Sequence, residues 1–212
     1  MARNVAIGVI DLGISNLGSV ISAMNEVTSR IQVINASNSQ ASTTQDLLLL
    51  PGVGNFGAAA NKLHHTGLED KIKNHILKDK PVLAICLGLQ LLFETSEESL
   101  GSAGLGVVKG SVKRLTAENR TPVPNVGWSE VDFVGAPFRE EFGNRYDFYF
   151  THSFYVDPKD SHVIVGESTH GSKRFVSGVL QRKIIGFQFH PEKSGKSGEL
   201  LIKSAFNYLT KD

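Results

Sequence analysis

The stretch that decides the fold is Lys80-Pro81-Val82-Leu83-Ala84-Ile85-Cys86-Leu87-Gly88-Leu89-Gln90, which holds the only cysteine among the 212 residues of the chain. Its apolar residues from Val82 to Ile85 predict a short buried strand, and a helix is expected directly after Cys86. The small residues Ala84 and Gly88 leave room for a sharp strand-to-helix turn of the kind that displays a nucleophile. A free cysteine is otherwise usually a small buried apolar residue, so this stretch alone leaves both interpretations open.

The composition is that of an ordinary globular protein. The chain has 22 basic and 21 acidic side chains and a formal net charge of +1, which provides no general attraction for nucleic acid or an anionic membrane. The apolar run over residues 5–10 is too short for the core of a signal peptide, and no segment reaches the roughly 18 apolar residues of a membrane span. A single cysteine cannot form an internal disulfide, and it has no Cys or His neighbour at the spacing of a zinc site. We therefore expect a cytoplasmic protein with no metal, no cofactor, and no nucleic acid or membrane partner.

The pattern of apolar residues predicts one mixed α/β domain over residues 1–212. In the first half, strands alternate with helices, which is typical of a mostly parallel sheet with crossover helices. In the second half, short alternating stretches separated by turn residues predict an antiparallel extension. The predicted strands are 5–10, 31–34, 47–50, 82–85, 107–115, 147–156, 163–167, 175–181 and 184–189, and the predicted helices begin at 17 and cover 56–65, 68–78 and 198–209.

A nucleophilic cysteine needs a base that takes up its proton. Among seven histidines, His190 stands out because it ends an apolar strand and is followed by Pro191, which cannot continue the strand. Glu192 lies two residues further and can fold back to accept a hydrogen bond from the imidazole, as the carboxylate of a catalytic triad does. His152 is in a strand beside Ser153 but has no carboxylate nearby in the sequence. His-Pro-Glu by itself is also compatible with a simple turn.

The loop Pro51-Gly52-Val53-Gly54-Asn55-Phe56-Gly57 follows a predicted strand of leucines. Its glycines leave backbone amides free to approach a ligand closely, which suits an oxyanion hole. The same glycines spell the dinucleotide fingerprint G-x-G-x-x-G. That fingerprint expects an acidic residue at the end of the next strand, where this chain has Cys86.

Taken together, Cys86-Leu87-Gly88-Leu89-Gln90, the glycine loop upstream and the segment 189–194 downstream resemble the class I, triad-type glutamine amidotransferases. More narrowly, segments along nearly the whole chain resemble the glutaminase subunit of imidazole glycerol phosphate synthase. These segments are 10–11, 16–20, 51–57, 124–128, 150–155 and 190–194. The resemblance implies the flavodoxin-like fold of that family, with helices on both faces of the central sheet.

The resemblance also implies a mechanism and a set of site residues. Cys86 would attack the side-chain amide of L-glutamine, His190 would transfer the proton, Glu192 would orient His190, and the product would be glutamate and ammonia. The backbone amides of Val53 and Leu87 would form the oxyanion hole. The glutamine would be held by Gly52, Gly54, Gln90, Ser153 and Phe154, and His152 would be structural.

In the family, the ammonia passes to a separate (β/α)₈-barrel cyclase, so the resemblance implies a heterodimer that serves histidine biosynthesis without a cofactor. Asn16, Asn125 and Trp128 would face that partner, although a tryptophan is also a common core residue. Leu12, Ser15 and Ser129 depart from the family pattern in the same region. Paralogues of this subunit supply ammonia for the amidination of bacterial surface sugars, which is the alternative acceptor pathway, and a nucleotide-binding module is a third possibility.

Overall fold

The computed structural model of the chain describes residues 5–13, 17–35, 37, 45–118, 121–143 and 146–211. The first-half elements are β1 (Ile7–Ile10), α1 (Leu17–Asn25), β2 (Ile31–Ile34), β3 (Leu47–Leu50), α2 (Phe56–His65), α3 (Leu68–Leu77), β4 (Val82–Ile85), α4 (Leu87–Leu91) and β5 (Thr95–Ser96). The second-half elements are β6 (Gly110–Arg114), β7 (Asn125–Phe133), α5 (Phe138–Phe142), β8 (Tyr146–His152), β9 (Phe154–Pro158), β10 (Ile164–His170), β11 (Lys173–Gln181), β12 (Ile184–Phe187) and α6 (Gly195–Leu209).

Five parallel strands form one half of a continuous sheet, in the order β2-β1-β3-β4-β12. β1, β3, β4 and β12 are buried along their whole length, because helices cover both faces of a parallel sheet. This order is that of flavodoxin-like folds, with β12 as the fifth strand. The predicted class of fold is therefore confirmed at the level of topology.

Alternate residues of the buried strands point into two separate cores. One core contains Ile7, Leu49 and Ile85 with residues of α1 and α6, such as Met24 and Ile202. The other contains Leu48, Leu50 and Ala84 with residues of α2 and α3 such as Phe56 and Ile72. Because side chains alternate along a strand, an unbroken apolar run such as Leu47–Leu50 supplies both cores at once.

The second half of the sheet is antiparallel. From β12 it continues through β11, β10, β7 and β8, while β9 and β6 branch from β11. Three details of the sequence prediction are corrected here: the stretch 147–156 is two strands separated at Ser153, the closing helix begins at residue 195, and β7 was not predicted as a strand. Within the described residues, no helix combines the length and apolarity needed to cross a membrane.

Candidate active site

The site lies where three neighbouring parallel strands end. β3 pairs with β4, and β4 pairs with β12 in the register Ala84 opposite Gly186 and Ile85 opposite Phe187. The chain leaving each strand therefore emerges at the same edge of the sheet, the usual position of ligand sites in open α/β sheets. The glycine loop follows β3, Cys86 follows β4, and His190 comes three residues after β12.

Cys86 is held in a strained turn between β4 and α4. Its backbone has φ 54° and ψ −108°, a region that costs a non-glycine residue about 1–3 kcal/mol. Its N–H donates to the carbonyl of Phe187 at 2.7 Å. At Gly88 the helix passes so close to β3 that a Cβ would lie 1.7 Å from the carbonyl oxygen of Leu50. The turn thus has the geometry that the small flanking residues predicted.

His190 and Glu192 form a buried pair. The imidazole Nδ1 and the Glu192 Oε1 atom are 2.8 Å apart, and the two side chains are 2% and 4% exposed. Burial lowers the pKa of His190, but the adjacent Cys86 sulfur and the Glu192 carboxylate outweigh it and raise the pKa to about 9. Among the described residues Nε2 has no hydrogen-bond partner, so this nitrogen remains available to the thiol and a substrate.

A cavity of about 410 Å³ opens above the cysteine. It brings together most of the residues that the sequence predicted, since its lining includes Val53, Gly54, Leu87, Gln90, Ser153 and Phe154 with Cys86. Gly52 lies behind this wall, where its carbonyl accepts the N–H of Leu87. Nucleophile, base and cavity are therefore adjacent, which suits attack on a small amide substrate.

A family model described as glutamine amidotransferase class-I matches residues 8–207. The chain belongs to this family. Its relatives include imidazole glycerol phosphate synthase subunit HisH of Methanopyrus kandleri, which is 44% identical over 198 residues. That alignment covers 92% of this chain and 94% of the relative. HisH of Pyrococcus furiosus is 40% identical, with 93% of this chain and 96% of that protein covered. HisH of Prochlorococcus marinus is 38% identical, with 97% of this chain and 96% of that protein covered.

Solved structures agree in fold. A glutamine amidotransferase gives a TM-score of 0.73 at 15% identity and covers 96% of this chain and 98% of its own. The structure of PurLQS from Thermotoga maritima gives a TM-score of 0.73 at 19% identity, and the match covers 98% of this chain and 100% of that one. The predicted family, the fold class and the glutamine-hydrolysing type of enzyme are confirmed for this amidotransferase.

The loop predicted to form the oxyanion hole of this amidotransferase occupies one of the two predicted donors. The N–H of Leu87, one of the two predicted oxyanion donors, instead donates to the carbonyl of Gly52 at 3.2 Å. The Gly52–Val53 peptide is trans, so its N–H points opposite to its carbonyl and therefore away from Leu87. A rotation of this one peptide would free the Leu87 amide and turn the Val53 N–H toward the cavity. The assignment of Val53 and Leu87 as oxyanion donors stays a prediction.

The sequence prediction missed several residues of the site. Pro124, Thr151 and Lys193 line the cavity, and Glu98 and Gln188 make hydrogen bonds in or beside it. Glu98 lines the cavity, and its Oε2 accepts the N–H of Phe56 at 2.6 Å. Gln188 is fully buried, and its Nε2 donates to the sulfur of Cys86 at 3.7 Å. A signal was available for Gln188, because a polar residue between two phenylalanines at the end of a buried strand needs a hydrogen-bond partner.

The backbone of His190 is fixed to the neighbouring strand β8. Its N–H donates to the carbonyl of Tyr149 at 2.8 Å. The hydroxyl of Ser194 donates to the His190 carbonyl at 2.6 Å and accepts the N–H of Tyr149 at 3.0 Å. Since Tyr149 is paired with Trp128 across β7 and β8, His190 is anchored beside the predicted partner face.

The predicted partner residues have different positions. Trp128 is 58% exposed, so the alternative of a core tryptophan is wrong. Asn125 is 5% exposed, and its Nδ2 lies 3.2 Å from Nε2 of His152, so its side chain points inward rather than toward a partner, opposite to its exposed neighbour in the strand. His152 is buried, lines the cavity, and contacts the carbonyl of Phe154 through Nδ1 at 2.8 Å, and its structural role stays a prediction. Asn16 and Ser15 lie outside the described residues.

Proposed function

We propose that this amidotransferase hydrolyses L-glutamine to glutamate and ammonia at Cys86 and delivers the ammonia to the synthase subunit of an imidazole glycerol phosphate synthase. The observation that carries the proposal is the buried His190–Glu192 pair, with its 2.8 Å contact, next to a cysteine on a strained strand-to-helix turn. These parts supply a nucleophile, a proton carrier and a group that orients it.

The reaction begins with the Cys86 thiolate and a protonated His190. The sulfur attacks the side-chain carbonyl carbon of glutamine, and the carbonyl π electrons move to oxygen. When the C–N bond breaks, Nε2 of His190 gives its proton to the departing nitrogen and ammonia is released. The resulting thioester is then attacked by water, which transfers a proton to His190 as the C–S bond breaks and glutamate leaves. The raised pKa of His190 favours the protonated form with which the first step starts.

Glu192 keeps the imidazole in one orientation through Nδ1 and stabilises its positive charge. This leaves Nε2 as the nitrogen that exchanges the proton with sulfur, substrate and water. The ion pair is almost fully shielded from solvent, where its electrostatic effect is larger than on the surface.

The substrate is held by the cavity wall. Gly52, Gly54, Gln90, Ser153 and Phe154 retain their predicted roles in binding glutamine, with Gly52 acting through the loop behind the wall. Glu98 adds a carboxylate at the same cavity, and one of its oxygens is already fixed by the Phe56 N–H. We assign its other oxygen to the α-ammonium group of glutamine, because opposite charges at one end of the substrate would set its direction.

The partner is a (β/α)₈-barrel cyclase that binds the outer face of β7, and the pair forms a heterodimer. Val126 and Trp128 are both 58% exposed on that face, and aromatic residues of this kind often anchor interfaces. The orientation of the Gly52–Val53 peptide predicts weak glutaminase activity in the isolated chain and strong stimulation in the loaded complex. The HisH relatives favour the histidine pathway over sugar amidination, and the cytoplasmic location stays a prediction.

The test is glutamate release from glutamine by the chain with and without the cyclase and its ligand. Cys86→Ala should abolish glutamine-dependent synthesis and leave synthesis from added ammonium salt unchanged, because only the nucleophile is removed. Glutamine use by the variant would overturn the proposal. Rescue of a histidine-requiring strain by the wild-type gene separates the two acceptor pathways.

The partner face has its own test. Trp128→Ala should weaken cyclase binding about tenfold or more, whereas Leu77→Ala, which truncates an 82% exposed side chain at the end of α3, should leave it unchanged. Isothermal titration with the purified cyclase measures both. Equal affinities for the two variants would place the interface elsewhere.

A further inference from the structure

We infer that Gln188 is a further catalytic residue, whose side-chain amide holds the thiolate of Cys86 in its reactive state. The inference rests on the proposed function, because it assigns a role at the same nucleophile. Gln188 is 0% exposed, and its Nε2 donates to Sγ at 3.7 Å. It lies two residues before the base His190 on the segment leaving β12.

The direction of the Gln188 amide is fixed by its neighbours. Nε2 of Gln90 donates to the backbone carbonyl of Phe154 at 3.0 Å and to Oε1 of Gln188 at 3.2 Å. A carbonyl can only accept, so Gln90 must present its NH₂ group there. The second N–H of that group is directed at Gln188. Because an N–H needs an acceptor, Gln188 must present its side-chain oxygen to it. The NH₂ group of Gln188 is consequently left to face the sulfur.

The start of this chain of hydrogen bonds is itself fixed. The Phe154 carbonyl also receives Nδ1–H of His152 at 2.8 Å, and Asn125 lies 3.2 Å from the other ring nitrogen. Burial lowers the pKa of His152 to about 4, so the ring is neutral at pH 7. A neutral ring that donates through Nδ1 accepts through Nε2, which agrees with the donor group of Asn125. All of these side chains are buried.

An N–H group aimed at sulfur discriminates between the two states of the cysteine. A thiol is a weak acceptor, whereas a thiolate is charged and accepts strongly. The donor therefore stabilises the form that attacks glutamine and keeps Sγ beneath the cavity. A merely structural glutamine would support folding without changing the reactivity of the sulfur.

The test is alkylation of Cys86 by iodoacetamide as a function of pH, with Gln188→Met. Methionine keeps a similar length and removes the donor. Since the chain has a single cysteine, mass spectrometry reports this site alone. We expect the rate at pH 6.5 to fall about tenfold, as for loss of one hydrogen bond to a charged group, and the rate at pH 10 to stay within about twofold. The charged groups facing the site from other elements, His190, Glu192, Glu98 and Lys193, are the same in both proteins.

Two further variants sharpen the result. Gln188→Glu keeps an oxygen for Gln90 but places a second acceptor against the sulfur, so its alkylation at pH 6.5 should be slower than that of the Met variant. Ser177→Ala is the control, because Ser177 is equally buried and its hydroxyl is hydrogen-bonded to Ser168 at 2.9 Å rather than to the sulfur. The substitution keeps the Ser177 carbonyl that accepts the backbone N–H of Gln188. Its alkylation profile should match the wild type. If the alkylation rates of the three variants ranked in the same order as their thermal stabilities, the inference would be overturned.

A measurement on the wild type covers the case in which Gln188→Met does not fold. In protein labelled with ¹⁵N-glutamine, the side-chain amide signal of Gln188 should shift when Cys86 loses its proton, and an unmoved signal would overturn the inference. Alkylation requires no glutamine turnover, so the two proposals fail separately. Glutamine turnover by Cys86→Ala defeats the proposed function, whereas superimposed alkylation profiles in an active enzyme defeat only the role of Gln188.

Discussion

The two halves of the sheet contribute to the site in different ways. In the parallel half, the strands have four residues each and are buried along most of their length, and the reacting groups lie just beyond their ends. In the antiparallel half, β7 and β11 have nine residues each, and the groups that matter lie along the strands. The parallel half therefore fixes positions through the backbone, while the antiparallel half supplies a wall and an outer face.

The difference shows in how closely the backbone approaches its neighbours. Near Cys86 the peptide chains of β3 and α4 touch at Gly88. At Gly127 in β7, a glycine with φ +134°, no atom of the described residues lies within 4 Å of the position that a Cβ would take. A side chain at Gly88 is therefore limited by contact, whereas one at Gly127 is limited only by backbone conformation.

The largest expected effect comes from adding one methyl group at Gly88, compared with the same change at Gly127. Gly88→Ala should lower the free energy of unfolding by more than about 4 kcal/mol, because the backbone must move to relieve a 1.7 Å contact. Gly127→Ala should cost only the backbone strain, about 1–3 kcal/mol. Urea unfolding followed by circular dichroism measures both. Equal losses of unfolding free energy in the two variants would show that close backbone contact does not distinguish Gly88 in the parallel half from Gly127 in the antiparallel half.

Glu192→Gln tests how far the base depends on its carboxylate. We expect glutaminase kcat/KM in the stimulated complex to fall about 10⁴-fold, as for the equivalent change in a serine protease triad. Ser168→Ala, a buried polar change in the antiparallel half, should leave kcat/KM within about twofold. Comparable losses would show that catalysis does not depend on the strand-end groups in particular.

The same variant has a pH signature in stability. The pKa of His190 is raised from 6.5 to about 9, so its protonation stabilises the folded protein fully below pH 6.5, and this contribution is lost as the pH rises through about 9. Without the Glu192 charge, the fall in stability over that window should be smaller. An unchanged alkaline profile would contradict the contribution of Glu192 to the raised pKa of His190.

The smallest expected effect is one that the two halves share. Burial lowers the pKa of His75 in α3 and of His152 in β8 to about 4 each. As the pH falls, the unfolded chain takes up protons at these residues before the folded chain does. The stability that comes from the two neutral histidines should therefore be fully present above pH 6.5 and be lost as the pH falls toward 4. His75→Gln and His152→Gln should each flatten this decline by roughly 2 kcal/mol, and His65→Gln, at an exposed position, should not. Unfolding curves at pH 4 to 7 test this.

The parallel half could be predicted from the sequence almost residue by residue. Strands Ile31–Ile34, Leu47–Leu50 and Val82–Ile85 have the predicted bounds, because apolar runs of this length between turn residues have few other folds available. The positions of the predicted triad were also accessible, since Cys86 directly follows β4 and the segment that carries His190 and Glu192 follows β12. Topology alone then brings Cys86 and His190 together.

The antiparallel half was harder to predict because the first part of β7 reverses the usual pattern. At the start of the strand Asn125 points inward while Val126 and Trp128 are exposed, whereas Val131 and Phe133 further along are buried. The apolar residues therefore mark the core face only in the second part of the strand. The stretch 147–156 looks continuous in sequence, but Ser153 separates β8 from β9. The role of Gln188 and the orientation of the Gly52–Val53 peptide depend on contacts between distant segments. Local sequence indicates that Gln188 needs a hydrogen-bond partner, but it does not say which one, and it carries no signal for the peptide orientation.

The single cysteine has a consequence for oxidative damage. A peroxide that reached the cavity would convert the Cys86 thiolate to a sulfenic acid, and glutaminase turnover would stop. Repair in many proteins begins when a second thiol of the same chain forms a disulfide with the oxidised one. These 212 residues contain no second thiol, so recovery would depend entirely on an external reductant small enough to enter a cavity of about 410 Å³.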